Sequence, residues 1–413
     1  MKVALLNTGT ELLLGDVHNT HLAFIAREIL PLGLRIDEQR TVPDGVAIRE
    51  ALAELCSRAE IVFVTGGLGP TTDDMTREMV AELLGLKLEQ NAELLAWLQH
   101  RLRVRGFKWT ARIARQADVP AGAQILSNEN GSASGLYFRA NINSQRSSPH
   151  LFLLPGPPRE LQPMFHKSVM PILRAIAKNP MTLDQRTYRI ACVGESIIEK
   201  AIGEKVLAIE GVELGYCARP GEVDVRIIGE PDRVTRADAI IRNELGLSIF
   251  STTGETLEEV LVKLLTERKE TIAVAESCTG GLLAHRLTNV PGASKVFVAG
   301  YVPYANAVKI DMLNVDRKLV ETHGAVSEPV ARAMAEGARQ CARSTYALAT
   351  TGIAGPGGGS PEKPVGTAYI ALLSPDEDSI VKKLFFPIDR ETFKDVIAQA
   401  AFDLLRGKLI SER

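Results

Sequence analysis

The chain has little of what marks most specialised proteins. Its five cysteines, at positions 56, 192, 217, 278 and 341, are odd in number, widely spaced and without a CxxC pair. That excludes a disulfide scaffold and suits a reducing cytoplasm, the expected location. Seven histidines form no HxxxH pair, so a zinc site of the common kind is not expected. No apolar run approaches the ~18 residues of a membrane span. The opening MKVALLNTGTELLLGD is broken by Asn7, Thr8 and Glu11. It reads as a buried strand and a loop, not as a signal peptide. Neither sign of charge dominates. Lys and Arg number 48 against 50 Asp and Glu, a net charge of −2, which argues against a dedicated nucleic-acid binder.

What is present is a globular composition. Hydrophobic residues make up 45% and charged residues 24%, which excludes disordered, collagenous and coiled-coil classes. A chain of 413 residues should hold about two to four domains. Residues 2–6 and 61–65 are short apolar runs ending in polar or glycine turns, as buried parallel strands do. Helical spacing follows at Leu22, Ile25 and Ile29, at Ile48, Leu52 and Leu55, and at Met75, Met79 and Leu83. Residues 150–154 give a further strand before a helix opened by PGPPRE. This rhythm predicts a doubly wound α/β sheet over residues 1–178. Residues 179–253 read as a small α+β unit, in the order β-α-β-β-α-β. Residues 254–413 read as a second α/β domain. It opens on a capping box at Thr256 and Glu259, and Ser327 is expected to cap the helix that Pro329 starts.

Two loops of the first domain carry chemistry. In TGGLGPTTDD (65–74), Gly66, Gly67 and Gly69 follow a strand, and Asp73 and Asp74 are expected to open a helix. Helix N–H groups would favour a phosphate, or an aspartate would hold a divalent cation bridging phosphates. The loop is neither a Walker A sequence nor GxGxxG. The same residues also suit a plain strand–helix turn. Thr10, Glu11 and Asp16 follow the first strand, and Asp44 follows another. Loops after parallel strands converge on one rim, so Glu11, Asp44 and Asp74 are expected to meet there.

In AESCTGG (275–281), Ser277 and Cys278 stand between a strand end and a helix. Cys278 is intrinsically the better nucleophile, but it wants a histidine partner. Ser277 wants a base, and Lys309 in GYVPYANAVK (300–309) is a candidate if its pKa is depressed by burial. Tyr304 would relay a proton or hold the lysine. The glycine-rich connection 351–367 reads as a binding loop whose N–H groups hold an anion. Together these residues suggest acyl or amide hydrolysis beside a phosphate-bearing group.

These motifs resemble the competence/damage-inducible CinA family over essentially the whole chain. TELLLGD (10–16), TGGLGPTTDD (65–74) and LPGPPRELQPMF (154–165) are similar to its N-terminal domain, related to molybdopterin-binding proteins of the MogA and MoeA type. The middle unit resembles its linker domain. AESCTGG (275–281), YANAVK (304–309), HGAVSEP (323–329) and GIAGPGGGSPEKPVGT (352–367) resemble its C-terminal domain. That domain is the nicotinamide mononucleotide (NMN) deamidase also found alone as PncC.

The resemblance implies Ser277 as nucleophile with Tyr304 and Lys309, hydrolysing NMN to nicotinate mononucleotide and ammonia without a cofactor. It implies substrate contacts at Thr279, Gly280, Gly281, Asn306, Gly352, Gly355, Gly357 and Gly358. In the N-terminal domain it implies nucleotide binding at Thr10, Glu11, Gly66, Gly67, Gly69, Thr71, Thr72 and Asp73. A divalent metal such as Mg would sit on Asp44 and Asp74. The reaction there would be hydrolysis of ADP-ribose to AMP and ribose 5-phosphate. The alternative is a pterin- or nucleotide-binding domain without turnover. The expected partners are these small molecules and a second copy of the chain in a homodimer, with no membrane and no dedicated nucleic acid. One position departs from the family. Pro303 stands where a small hydroxyl residue is usual, next to Tyr304.

Overall fold

A computed structural model of the protein describes residues 1–106, 108–143, 147–177, 183–376 and 379–411. The chain forms two compact units, Met1–Leu183 and Asp184–Arg413. The expected boundary at 178/179 lies outside the described residues.

The first unit is built on a six-stranded sheet. Its order is Ile36–Val42, Val3–Thr8, Ile61–Thr65, His150–Leu154, Gly135–Phe138 and Gln124–Leu126. The first four strands are parallel, and the last two add an antiparallel edge. Successive side chains of a strand face opposite ways, and both faces are covered. Val3 and Leu5 pack with Phe24, Ile25 and Phe165 on one face. Ala4 and Leu6 pack with Ile48, Leu52 and Val80 on the other. The loops after the parallel strands therefore share one rim.

The second unit holds two sheets. The β-α-β-β-α-β order is present over Asp184–Ser251, as an antiparallel sheet of four strands with Ile198, Ile202, Val234 and Ile241 beneath it. The other sheet has five strands, ordered Phe297–Tyr301, Ile272–Glu276, Tyr346–Gly352, Thr367–Leu373 and Ser379–Phe385. Tyr346 and Leu348 face the helices Leu257–Arg268 and Arg390–Ser411. Ala347 and Ala349 face the helix Glu328–Ala342.

The position 253/254, expected to separate two domains, falls inside this unit. Arg189 of the smaller sheet donates to the carbonyls of Gly254 (3.1 Å) and Glu255 (2.9 Å). Gln399 of the last helix donates to Glu222 at 3.1 Å. Ala191 and Phe250 are buried in the same core as Leu257 and Phe402.

The capping box at Thr256 and Glu259 is formed. Ser327 occupies the position before its helix, but its hydroxyl donates back to Gly324 O at 2.8 Å and caps nothing. Among the described residues no helix is long and apolar enough to cross a membrane.

The alanine-rich face of Glu328–Ala342 allows close approach. A Cβ on Gly337 would stand 2.1 Å from the carbonyl oxygen of Leu313. Helix propensity alone would favour alanine there by about 1 kcal/mol. Overpacking against backbone costs about 1–3 kcal/mol. Gly337→Ala is therefore expected to lower the urea midpoint. A raised midpoint would show that the helix can shift freely.

Candidate functional site

The strand Ile272–Glu276 lies inside its sheet and is buried throughout. Its last side chain, Glu276, is 0% exposed. A carboxylate in such a place must be met by donors, and four converge on it. They are Thr279 Oγ1 at 2.7 Å and the N–H groups of Gly281 (3.0 Å), Leu283 (3.0 Å) and Ala284 (2.9 Å). The last two belong to the first turn of the helix Leu282–Thr288, so the negative charge meets that helix's positive end. Gly280 and Gly281, at φ of 62° and 97°, carry the chain around the carboxylate.

This turn presents Ser277 to a cavity of about 210 Å³. Ser277 N donates to Thr350 O at 2.9 Å, which anchors its backbone to the neighbouring strand. Lys309, on the helix Asn306–Leu313, reaches the same cavity and is only 1% exposed. Its Nζ lies 3.2 Å from Ser277 Oγ, 2.8 Å from Pro303 O and 3.1 Å from Tyr304 O. Burial pushes its pKa below the usual lysine value. A neutral amine has two protons and one lone pair. With the two carbonyls accepting those protons, the lone pair is left for the hydroxyl of Ser277. Pro303 thus keeps the atom the site uses, because proline retains its carbonyl.

The neighbouring Cys278 also lines the cavity, but burial pushes its thiol up to about 12. The thiolate that would be nucleophilic is scarce at neutral pH. Tyr304 holds Lys309 through its backbone rather than its phenol. The phenol oxygen instead accepts from Arg390 at 2.9 Å. Arg390 also donates to Gly355 O at 2.8 Å and closes one side of the cavity.

Asn306 and Gly352 line this cavity, whereas Thr279, Gly280, Gly281, Gly355, Gly357 and Gly358 do not. Thr279 and Gly281 turn to Glu276, and Gly355 acts through Arg390. Sequence reasoning gave Glu276 and Arg390 no role. Arg390 is far away in the chain, and Glu276 precedes its helix by more than any local capping rule spans.

In the first unit, a cavity of about 520 Å³ opens at the shared rim. Glu11, Asp44, Gly66, Gly67, Gly69, Asp73 and Asp74 line it, while Thr10, Thr71 and Thr72 do not. Thr10 and Thr71 instead hold carboxylates. Asp44 Oδ2 accepts from Thr10 N (3.1 Å) and Oγ1 (3.3 Å). Asp74 Oδ2 accepts from Thr71 N (2.8 Å) and from its hydroxyl. Asp73 and Asp74 do not open a helix, since the helix starts at Thr76 after a turn. The glycines are needed by the turn itself. A Cβ on Gly66 would lie 2.5 Å from Thr8 O, and one on Gly67 would lie 2.1 Å from Thr76 Oγ1.

The expected meeting of Glu11, Asp44 and Asp74 is a shared cavity and not a cluster. Among the described residues no three His, Cys, Asp or Glu side chains are placed to hold one metal ion. The bonds to Thr10 and Thr71 engage one oxygen of each aspartate.

His21 also lines this cavity and had no signal in the sequence. Its Nε2 lies 2.7 Å from Gly156 O, so that nitrogen carries the proton. Its Nδ1 lies 3.0 Å from Thr65 Oγ1, which itself reaches Asn7 Oδ1 at 2.9 Å. Burial lowers the pKa of His21.

Two α/β cores, each with a cavity at the ends of parallel strands, define the chain. Residues 4–175 match the family described as "Probable molybdopterin binding domain", and residues 254–409 match "CinA C-terminal domain". A CinA-like protein of Akkermansia muciniphila is 42% identical over 100% of this chain and 98% of its own. A CinA-like protein of Koribacter versatilis is 38% identical over 97% of this chain and 98% of its own. The chain belongs to the CinA family.

The Glu276 contacts can be tested without any substrate. Glu276→Gln puts an NH2 group among buried N–H donors. Each buried donor left unmet costs about 1–3 kcal/mol, and a loss of about 3 kcal/mol is expected, read from the urea midpoint. Unchanged stability would mean that the carboxylate does not hold the turn.

Proposed function

We propose that the second unit hydrolyses the carboxamide of NMN, giving nicotinate mononucleotide and ammonia. The observation that carries this reading is the buried Lys309 amine, 3.2 Å from Ser277 Oγ, with two carbonyls as its other partners. Neutral Lys309 takes the hydroxyl proton as Ser277 Oγ attacks the carboxamide carbon. The resulting lysine proton passes to the leaving nitrogen, which departs as ammonia and leaves a serine ester. Water, deprotonated by the same amine, then cleaves the ester and restores Ser277. No cofactor is needed. Arg390 places a cation beside the cavity, suited to a substrate that carries a phosphate.

For the first unit the reading is metal-dependent hydrolysis of the pyrophosphate in ADP-ribose. Asp44 and Asp74 would hold a magnesium-like ion, which supplies charge neutralisation for the phosphates. The glycine turn 66–69 lets the backbone lie close to them. The lack of a three-ligand cluster among the described residues favours a second reading, in which this unit binds a pterin or nucleotide without turnover. The whole protein is read as a cytoplasmic homodimer, which light scattering can check for the oligomeric state.

Ammonia release from NMN is the deciding assay for the second unit. Wild type and Cys278→Ala should release it, and folded Ser277→Ala and Lys309→Met should lose about 10³-fold or more. Release by Ser277→Ala at the wild-type rate would sink the reading. The protonated amine cannot accept a proton, so kcat/KM should fall as pH drops through the Lys309 pKa. That limb should lie below the ordinary lysine value, and a limb absent below it would remove Lys309 as base. Asp74→Ala should abolish metal-dependent release of AMP from ADP-ribose. Absence of release by wild type with any divalent metal would leave the binding reading.

A further inference from the structure

One stretch of the first unit departs from the chain's balanced charge. Residues 94–117 contain no Asp or Glu, while Arg101, Arg103, Arg105, Lys108, Arg112 and Arg115 all fall within them. A net charge near zero for the whole chain conceals this run.

The stretch comprises most of the helix Ala92–Val104 and the short helix Ala111–Ala114. Leu94 and Leu98 fasten the longer helix to the core beside Val62 and Val64. Two of the six cations have partners. Arg101 lies over the Trp97 ring at 5.1 Å and donates to Glu129 O at 2.9 Å. Arg115 pairs with Glu78 at 2.9 Å. Arg103, Arg105, Lys108 and Arg112 are exposed. Among the described residues none of these four forms an ion pair. Trp109, one of only two tryptophans in the chain, is 39% exposed and lies between them in the sequence.

The location also matters. Gln116 donates to Leu68 O at 3.3 Å, and Leu68 lines the large cavity. Arg101 reaches Glu129 O, next to Asn128, which holds the cavity-lining Glu160 at 2.7 Å. Both ends of the basic stretch are therefore tied to the cavity wall.

We propose that this basic arm binds a single-stranded polynucleotide, with phosphates on Arg103, Arg105, Lys108 and Arg112 and a base stacked on Trp109. Exposed cations spaced along the chain on both sides of an exposed aromatic residue match a chain of phosphates with bases between them. A free nucleotide offers too few charges to use four cations. An acidic peptide gives the exposed indole no aromatic partner. An anionic membrane favours an unburied apolar face, and the helix Ala92–Val104 turns its leucines Leu94 and Leu98 into the core.

The test is fluorescence anisotropy of a labelled oligothymidylate with the full-length chain over a range of salt. Four phosphate contacts on a single strand predict a slope of log K against log salt of about −3. The double variant R103Q/R105Q should bring the slope to about half that value. Trp109→Ala should weaken binding about fivefold or more at each salt, with the slope kept. A duplex of the same length should compete poorly, because its bases are stacked. All these positions are exposed, and matching thermal melts will show that the variants fold. The proposal is overturned by no binding at low salt, or by a slope unchanged in R103Q/R105Q. It is also overturned if duplex and heparin compete as well as the single strand while Trp109→Ala has no effect. Sedimentation with phosphatidylserine vesicles in place of oligonucleotide binding would replace it with a membrane surface.

Discussion

A buried carboxylate with four donors around it sets the geometry on which the second unit's site depends. Glu276 ends a central strand, and the chain must wrap back over it to bring Thr279, Gly281, Leu283 and Ala284 within reach. That wrapping leaves Ser277 at the strand end, with its backbone held by Thr350 and its hydroxyl toward Lys309. The same arrangement explains why two of the motif's residues, Thr279 and Gly281, face inward. They build the platform, and the cavity is lined by other parts of the chain.

The two cavities handle charge differently. In the second unit, a lysine amine is buried with carbonyls and a hydroxyl as its partners, so burial works against its charge and favours the form that can accept a proton. In the first unit the carboxylates stay near solvent and are each steadied by a threonine, Asp44 by Thr10 and Asp74 by Thr71. One cavity is arranged around a single reactive pair. The other is wider, with Glu11, Asp44, Asp73, Asp74 and the glycines of the 66–69 turn in its lining.

Charge also shows how an average misleads. A near-neutral total excludes a protein that is basic throughout, and it says nothing about where the charges stand. The run from Arg101 to Arg115 begins in the helix Ala92–Val104 and ends just after the short helix Ala111–Ala114, and residues 94–117 hold no acid to balance it. The linker-like middle segment reads as separate from its sequence pattern, and the family match that begins at residue 254 agrees with that division. Yet contacts of Arg189, Glu222 and Gln399 join it to the following sheet in one compact unit.

Local rules were enough wherever the deciding interaction is local. Strands 61–65 and 150–154 are legible because buried parallel strands must be continuously apolar, and the capping box at Thr256 and Glu259 because its partners are three residues apart. Ser277, Lys309 and the glycine turn at 66–69 were legible as motifs for the same reason. Ser327 and Asp74 show the limit, since their side chains had nearer partners than the helix ends expected for them. The fold class and the strand–turn–helix sites were legible in local pattern, and the serine–lysine pair only as a candidate beside Cys278. Long-range packing set the burial of Lys309 beside Ser277, the anchoring of the turn by Glu276, and the entry of Arg390 and His21 into the cavity linings. Those properties depend on burial and on partners far apart in the chain, and neither is encoded in the spacing of neighbouring residues.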